Sequence, residues 1–275
     1  MIWYRVLEAA SAQLAQAGVA SPAVDARALA EHVCGTLPLP SEQPTAQQRA
    51  RFTELVNRRA QREPLQHIIG TMWFRYLTLK SRPGGFIVRP ETEIVVEAGL
   101  KELHALGKPE PVVVDLCTGS GAIALAIATE YVGARVFGVE LDDAAFALAQ
   151  ENNAVYGSVV ALVHGDARQA FPELIGSVDL VITNPPYVRF DEDLSPEVRQ
   201  DPARALFGGG DDGLDLPREL VARAYHLLRP GGILIMEHGD DQGPALRAAA
   251  SGYSGVYTGQ DLTGRDRFLR AVKEA

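Results

Sequence analysis

The spacing of apolar positions along the 275-residue chain changes near residue 112. Before that point the pattern is helical. Ile2, Val6, Ala9, Ala10 and Leu14 recur at helical intervals and predict a helix over 2–17. Ser21 followed by Pro22 predicts a capped helix running to Cys34, and Leu37-Pro38-Leu39-Pro40 breaks the pattern. Thr45 is expected to cap a third helix, over 46–62, and Pro64 to end it. Met72–Leu79 reads as a short β-like stretch, followed by a Pro83-Gly84-Gly85 turn and Phe86-Ile87-Val88. Thr92 is expected to cap the next helix, which runs to Leu106. From Val112 onward short apolar runs alternate with helical ones, the pattern of a doubly wound α/β sheet. Strands are predicted at 112–116, 135–139, 160–164, 178–183 and 233–237, with two more near 255–258 and 268–272. Helices fall between them at 122–130, 143–156 and 217–228.

The composition is that of an ordinary globular protein, 47% hydrophobic and 22% charged. Its net charge of −9 argues against a protein that coats DNA. That charge is uneven: residues 1–110 carry 13 Lys and Arg against 11 Asp and Glu, and the remainder 13 against 24. The arginines Arg49, Arg51, Arg58, Arg59 and Arg62 give the third helix a basic flank, read either as a solvated face or as a polyanion contact. Cys34 and Cys117 stand far apart, so neither a disulfide framework nor a zinc site is indicated. The six histidines, His32, His67, His104, His164, His226 and His238, show no metal-ligand spacing and are read as structural. With no signal-peptide pattern and no apolar run of membrane-spanning length, a cytoplasmic protein is expected.

Candidate chemistry begins where the first strand of the sheet ends. Asp115 leads through Leu116 into Cys117-Thr118-Gly119-Ser120-Gly121, a glycine turn between strand and helix that lets a ligand approach the backbone. A Gly-x-Gly turn by itself is weak evidence, and the full dinucleotide fingerprint is absent. Glu140, at the end of the second strand and 21 positions after Gly119, is placed to accept hydrogen bonds from ribose hydroxyls. Asp166, after the third strand, is placed to accept from an adenine amino group, with Ala167 beside it. An adenosyl ligand without phosphates fits this set best. Cys117 is read as inert lining.

The fourth strand delivers Asn184-Pro185-Pro186-Tyr187 at its carboxyl end, where open α/β sheets bind ligands. Two prolines hold Asn184 and Pro185 extended and remove two N–H donors, leaving carbonyl acceptors. Such a site suits methylation of a planar, poorly nucleophilic –NH2. The Asn184 side-chain oxygen and the Pro185 carbonyl would hold both N–H bonds, and Tyr187 would cover the flat face of the acceptor.

These residues, with Pro64–Gly70, Arg89-Pro90-Glu91-Thr92-Glu93, Asp201–Gly209, Asp212–Asp215, Glu237-His238-Gly239 and Asp261–Arg267, make the chain resemble the HemK (PrmC) family of release factor glutamine N5-methyltransferases. The resemblance implies a seven-stranded Rossmann-like class I methyltransferase domain over 91–275. It also implies a helical-bundle substrate-recognition domain over 1–63 and a β-hairpin linker over 64–90. S-adenosylmethionine would be the cofactor and S-adenosylhomocysteine its product. The partner would be a class-1 peptide chain release factor, methylated on its Gly-Gly-Gln glutamine, with no membrane and no stable nucleic-acid contact. By the same resemblance Asp115, Cys117, Thr118, Gly119, Ser120, Gly121, Glu140, Asp166, Ala167 and Asn184 border the cofactor. Asn184, Pro185, Pro186 and Tyr187 hold the glutamine amide, and Arg89, Pro90, Glu91 and Thr92 shape the pocket wall. Val88 departs from the proline the family usually has there. Three other readings stay open: a glutamine methyltransferase acting on a ribosomal protein, an adenine-N6 DNA methyltransferase, and a non-catalytic nucleotide-binding module. An adenine enzyme would need a base-extruding recognition domain and basic surface, neither of which the acidic second part supplies.

Overall fold

The computed structural model describes residues 1–274 and resolves two compact units. The first comprises residues 1–71 with two short returns of the chain, 81–83 and 194–200. It contains α1 (Trp3–Gln16), α2 (Pro22–Cys34), α3 (Ala46–Ala60) and the short α4 (Leu65–Ile69). Their apolar faces close on a core of Trp3, Leu14, Leu29, Phe52, Leu55 and Ile68. Thr45 caps α3 as expected, in a full capping box with Gln48. Ser21 stands at the α2 N-cap position, but its side chain makes no capping bond there.

The basic flank of α3 is largely neutralised inside this unit. Arg51 pairs with Glu54, Arg58 with Glu63, Arg59 with Asp25 and Glu197, and Arg62 with Glu197. Glu197, in the returning segment 194–200, is held well below the usual carboxylate range by the two guanidiniums, against the cost of its burial. These pairs leave the cluster poorly suited to a polyanion, although Arg59, which is buried, belongs to no solvated face either.

The second unit carries the rest of the chain. Its first feature is a hairpin of β1 (Thr71–Phe74) and β2 (Leu77–Lys80), where the residue pattern alone gives one β-like stretch and the resemblance implies a hairpin. The sequence at the turn, Arg75-Tyr76, contains none of the usual turn residues, yet Arg75 takes a left-handed φ of 51°. Ion pairs replace turn chemistry here: the Arg75 N–H donates to Glu93, and its guanidinium to Glu130 and Glu97. Met72, Phe74, Leu77 and Leu79 point into the core.

After the hairpin come α5 (Thr92–Leu106), β3 (Val112–Leu116), α6 (Ala122–Glu130), β4 (Arg135–Glu140), α7 (Asp143–Val155), β5 (Val160–His164) and β6 (Val178–Thr183). The chain ends with α8 (Ala203–Leu206), α9 (Asp215–Leu227), β7 (Leu228–Glu237), α10 (Gly243–Ala249), β8 (Tyr253–Gln260) and β9 (Asp266–Lys273). The sheet has seven strands in the order β5-β4-β3-β6-β7-β9-β8, parallel except for β9, which runs antiparallel to both its neighbours. β3 and β6 are buried on every residue, because helices cover both faces, and so they read as unbroken apolar runs. Strand order reverses between β3 and β6, which is where such sheets bind ligands. No helix among the described residues is long and apolar enough to cross a membrane.

Candidate active site

The register of the sheet sets the site. Leu116 lies beside Thr183, Leu116 beside Val139, Glu140 beside His164, and Thr183 beside Met236. The residues that follow these pairs, Cys117, Asn184 and Glu237, therefore form a row along one edge with Glu140 and Asp166. The Thr183 hydroxyl donates to the Leu116 carbonyl and ties the two central tips together.

At the β3 tip the chain turns through Cys117 (φ 63°), Thr118 and Gly119 (φ 57°). Cys117 occupies a left-handed conformation that disfavours any side chain, so a cysteine here is a strained choice as well as a small one. Burial and the nearby Glu140, Asp115 and Asp166 carboxylates push its thiol pKa far up, which keeps it protonated. A Cβ on Gly119 would meet no atom within 4 Å, so this backbone faces open space.

Two carboxylates brace the turn. Asp115 is fully buried; its Oδ2 accepts from the Thr118 hydroxyl (2.6 Å) and the Ala124 N–H (3.2 Å), and Oδ1 has no partner. Burial raises its pKa to about 7 against the pull of those two donors, and Glu140 adds to the rise. Glu140 Oε2 accepts the Gly119 N–H at 2.8 Å, while Oε1 accepts Leu141 N–H and Asp142 N–H, both at 2.8 Å. A carboxylate has about four acceptor positions, so one remains, on Oε2. Asp166 is engaged by Arg168 through its backbone N–H (2.9 Å) and its guanidinium, which holds the carboxyl below its ordinary pKa.

A cavity of about 260 Å³ opens between these tips. Of the residues expected at the site, Cys117, Gly119, Glu140, Asp166, Ala167, Asn184 and Pro186 line it. Asp115, Thr118, Ser120, Gly121, Pro185 and Tyr187 are not among its lining residues. The remaining lining includes Phe86, Val139, Leu141, Ala145 and Leu216, with Pro202, Arg204 and Ala205 from the start of α8. Apolar walls for a flat ring, an open glycine backbone and a carboxylate with one acceptor site left form a donor and acceptor set that fits an adenosyl group without phosphates. Phe86 and the α8 residues were missed as lining; the α8 residues had a signal only in the family-like Asp201–Gly209 segment, and Phe86 had none. Among the described residues no cluster of His, Cys, Asp and Glu could hold a metal ion.

The β6 tip is held by side chains far away in sequence. Asn184 Nδ2 donates to the Thr92 hydroxyl at 3.1 Å, and the Tyr187 hydroxyl donates to Glu237 Oε1 at 3.1 Å. Thr92 was expected to cap α5. Instead Glu91 is the cap residue, and Thr92 lies in the first turn, fully buried, with its hydroxyl facing Asn184. Burial pushes the Tyr187 phenol far up, so it remains a donor. The backbone is pinned as well: Val188 N–H donates to the Leu206 carbonyl (2.8 Å), and Gln242 donates to the Tyr187 carbonyl (2.8 Å). A Cβ on Gly208 would collide with the Pro186 and Gly213 carbonyl oxygens, so the loop after α8 packs backbone to backbone against the motif. Arg89 pairs with the buried Asp201, which also accepts the Ile87 N–H, so the chain around Arg89 is tied to the start of α8, while none of Arg89, Pro90, Glu91 and Thr92 is among the residues lining the cavity.

Residues 5–70 match the family model of the PrmC N-terminal domain, and residues 113–210 match that of a methyltransferase domain. A release factor glutamine methyltransferase of Streptomyces coelicolor is 47% identical over 96% of this chain and 95% of its own length. A 4-amino-L-phenylalanine/4-methylamino-L-phenylalanine methyltransferase of Streptomyces pristinaespiralis is 40% identical over 98% of this chain and 94% of its own. Among solved structures, a T. Thermophilus 16S rRNA N2 methyltransferase in complex with AdoMet and guanosine has a TM-score of 0.55 and 25% identity, covering 72% of this chain and 47% of that one. With whole-length identity of this order and a matching N-terminal domain, the chain belongs to the release factor glutamine methyltransferase family.

Proposed function

We propose that this chain transfers a methyl group from S-adenosylmethionine to the side-chain nitrogen, N5, of the Gly-Gly-Gln glutamine in class-1 peptide chain release factors. The observation that carries the reading is that Asn184 lines the same cavity as Gly119 and Glu140, at the reversal of strand order. When bound, the cofactor supplies a methyl group activated on a sulfonium, which leaves as the neutral thioether S-adenosylhomocysteine.

The chain's own residues supply placement. Glu140, with its remaining acceptor position on Oε2, takes one ribose hydroxyl while still holding the Gly119 N–H. Asp166 and Ala167 border the adenine. Asp115 stays behind the turn and fixes Thr118 and the start of α6. Asn184 Oδ1 and the Pro185 carbonyl accept the two N–H bonds of the glutamine amide and turn its nitrogen toward the methyl group. Holding two reactants in line in this way supplies most of the rate, because the donor is already activated. As the N–C bond forms and the C–S bond breaks, the nitrogen gives up one of the two protons held at Asn184 Oδ1 and the Pro185 carbonyl, and that proton passes on to solvent. Residues 1–63 serve as the substrate-recognition domain. The acidic balance of residues 111–275 and the paired arginines of α3 favour a protein substrate over nucleic acid, and the work is that of a cytoplasmic enzyme of translation termination.

Labelled S-adenosylmethionine, incubated with the purified chain and a release factor, is expected to place one methyl on the Gly-Gly-Gln peptide, read by mass spectrometry. 4-Amino-L-phenylalanine, a second planar –NH2, runs in parallel. Methylation of that amine, with the release factor left untouched, defeats the assignment.

A further inference from the structure

We infer that Gln242 is a positioning residue for the acceptor site: its carboxamide ties the carbonyl end of the Asn184–Tyr187 motif to the glycine loop that precedes α9. The inference rests on the glutamine reading above and deepens it, by naming the group that keeps the motif's carbonyls aimed. Gln242 itself is not among the residues lining the cavity.

The motif needs such a tie. Pro185 and Pro186 have no N–H, so that part of the backbone can be held only through its carbonyls. The Pro185 carbonyl is reserved for the acceptor amide, and the Pro186 carbonyl lies against Gly208, where a Cβ would collide with it. The Tyr187 carbonyl is where a side chain grips the segment. Because both prolines fix φ, a displacement at Tyr187 is carried back to the Pro185 carbonyl and Asn184 instead of being absorbed between them.

Gln242 sits at the N-cap position of α10 and is buried, yet its side chain makes no capping bond to that helix. It bonds main chain elsewhere. Nε2 donates to the Tyr187 carbonyl at 2.8 Å and to the Asp212 carbonyl at 2.9 Å, and Oε1 accepts the Gly239 N–H at 2.8 Å. Both protons of the –NH2 are therefore used. Carbonyls cannot donate and an N–H cannot accept, so these three partners fix which end of the amide points where. An ionised glutamate here could accept from Gly239 but could donate to neither carbonyl.

The Asp212 carbonyl matters because of where its loop leads. Residues 208–213 read Gly-Gly-Gly-Asp-Asp-Gly, a run that costs more entropy to order than one with side chains. The loop runs between Ala205 and Leu216, which both line the cavity. Gly208 N–H donates to the Val188 carbonyl at 3.2 Å, and a Cβ on Gly213 would collide with the Tyr187 carbonyl oxygen. The loop thus passes backbone to backbone along the carbonyl that Gln242 holds, and Gln242 bonds both sides of that contact. Three segments meet on one carboxamide: the β6 tip, this loop, and the turn between β7 and α10.

Two measurements on the full-length chain test the tie. The first is single-turnover methyl transfer to a release factor at saturating S-adenosylmethionine and acceptor. Gln242→Met, of similar length but with no hydrogen bond to offer, should lower the rate by roughly 10- to 100-fold. Gln242→Glu, which keeps the Gly239 bond and loses both donations, should lower it by a similar factor. Calorimetry should find the S-adenosylmethionine Kd within about two-fold of wild type in both variants, because the cradle at β3 and β4 is untouched. A role in stability alone would lower Tm and leave the transfer step of the folded variants unchanged. A Gln242→Met rate within about two-fold of wild type overturns the inference, and so does a Kd weakened as much as the rate. A fast Gln242→Glu beside a slow Gln242→Met also overturns it, by tracing the effect to Gly239. The second measurement needs no acceptor. Hydrogen exchange at the Val188 and Gly208 amides, which bond the Leu206 and Val188 carbonyls, should be at least about 10-fold faster in Gln242→Glu than in wild type, with the β3 amides unchanged. If the chain leaves release factors unmethylated, the functional reading fails, and exchange still tests the tie: faster exchange supports it and equal exchange overturns it. Should Gln242→Met fail to fold, Gln242→Glu decides by both measurements.

Discussion

The tips of β3 and β6 are neighbours in the sheet, yet they are built by opposite means. At β3 the working surface is backbone. Two residues with positive φ, Cys117 and Gly119, turn the chain so that it faces open space, and the bracing carboxylates Asp115 and Glu140 bond main-chain N–H groups within 25 residues of the turn. At β6 two prolines remove donors, and the working group is one side chain, Asn184, bonded from residue 92. The first tip is thus tolerant of side-chain change but intolerant of backbone change, and the second is the reverse. A cofactor common to many acceptors suits a backbone cradle, whereas acceptor choice suits side chains that evolution can exchange.

Substitutions should separate the two tips. The largest effect is expected for Asn184→Ala, which removes an acceptor that matters only when the substrate amide is present. The transfer rate should fall roughly 10²- to 10³-fold or more while calorimetry shows the S-adenosylmethionine Kd nearly unchanged. Unchanged turnover would mean that the β6 tip does not hold the acceptor. Glu140→Ala is expected to act on the other side, weakening cofactor binding by roughly 1–3 kcal/mol through the lost ribose partner and the released Gly119 N–H. The same calorimetric titration checks it. A Kd equal to wild type would remove Glu140 from the cofactor site, and a selective loss in acceptor KM would collapse the distinction between the tips.

The two tips were also unequally legible in the sequence. The strands 112–116 and 178–183 appear at the predicted positions because fully buried parallel strands are continuous apolar runs bounded by polar turns, and 160–164 also falls where predicted although, at the sheet edge, only its Val160 is buried. The glycine turn and Glu140 were readable because their spacing is local to one strand–helix–strand unit. Thr92 was not: as a threonine just ahead of a helix it reads as a cap, and only tertiary contact with Asn184 draws its hydroxyl elsewhere. Glu237 likewise stood in a recognisable Glu-His-Gly segment with no chemistry attached, since its partner Tyr187 lies 50 positions away along the chain. The Arg75-Tyr76 hairpin turn was invisible for the same reason, held by Glu93 and Glu130 with no turn residues of its own. The start of β7 was missed because Pro230-Gly231-Gly232 reads as a turn, although the strand runs through it with a register shift against β6.

The smallest expected effect compares the buried carboxyl behind each tip. Asp115 rises from an ordinary 3.8 to about 7, and Glu237 from 4.5 to about 7, both chiefly through burial. In the unfolded chain each ionises at its ordinary pKa, so between those values and about 7 the folded protein holds more protons than the unfolded one. Stability contributed by these groups is therefore full below their unfolded values and declines as pH rises toward 7, by no more than about 1.4 kcal/mol per pH unit for each. Asp115→Asn should flatten the dependence of Tm on pH between about pH 5 and pH 7, and Glu237→Gln should flatten it slightly less, because its interval is shorter. If neither substitution changes the slope, the two carboxyls are already ionised in the folded protein at low pH. In that case water or an unrecognised donor reaches Asp115 Oδ1 and Glu237 Oε2, which among the described residues are buried side-chain oxygens without a partner. A change in only one slope would locate that donor at one tip and show that burial of its carboxyl is incomplete there.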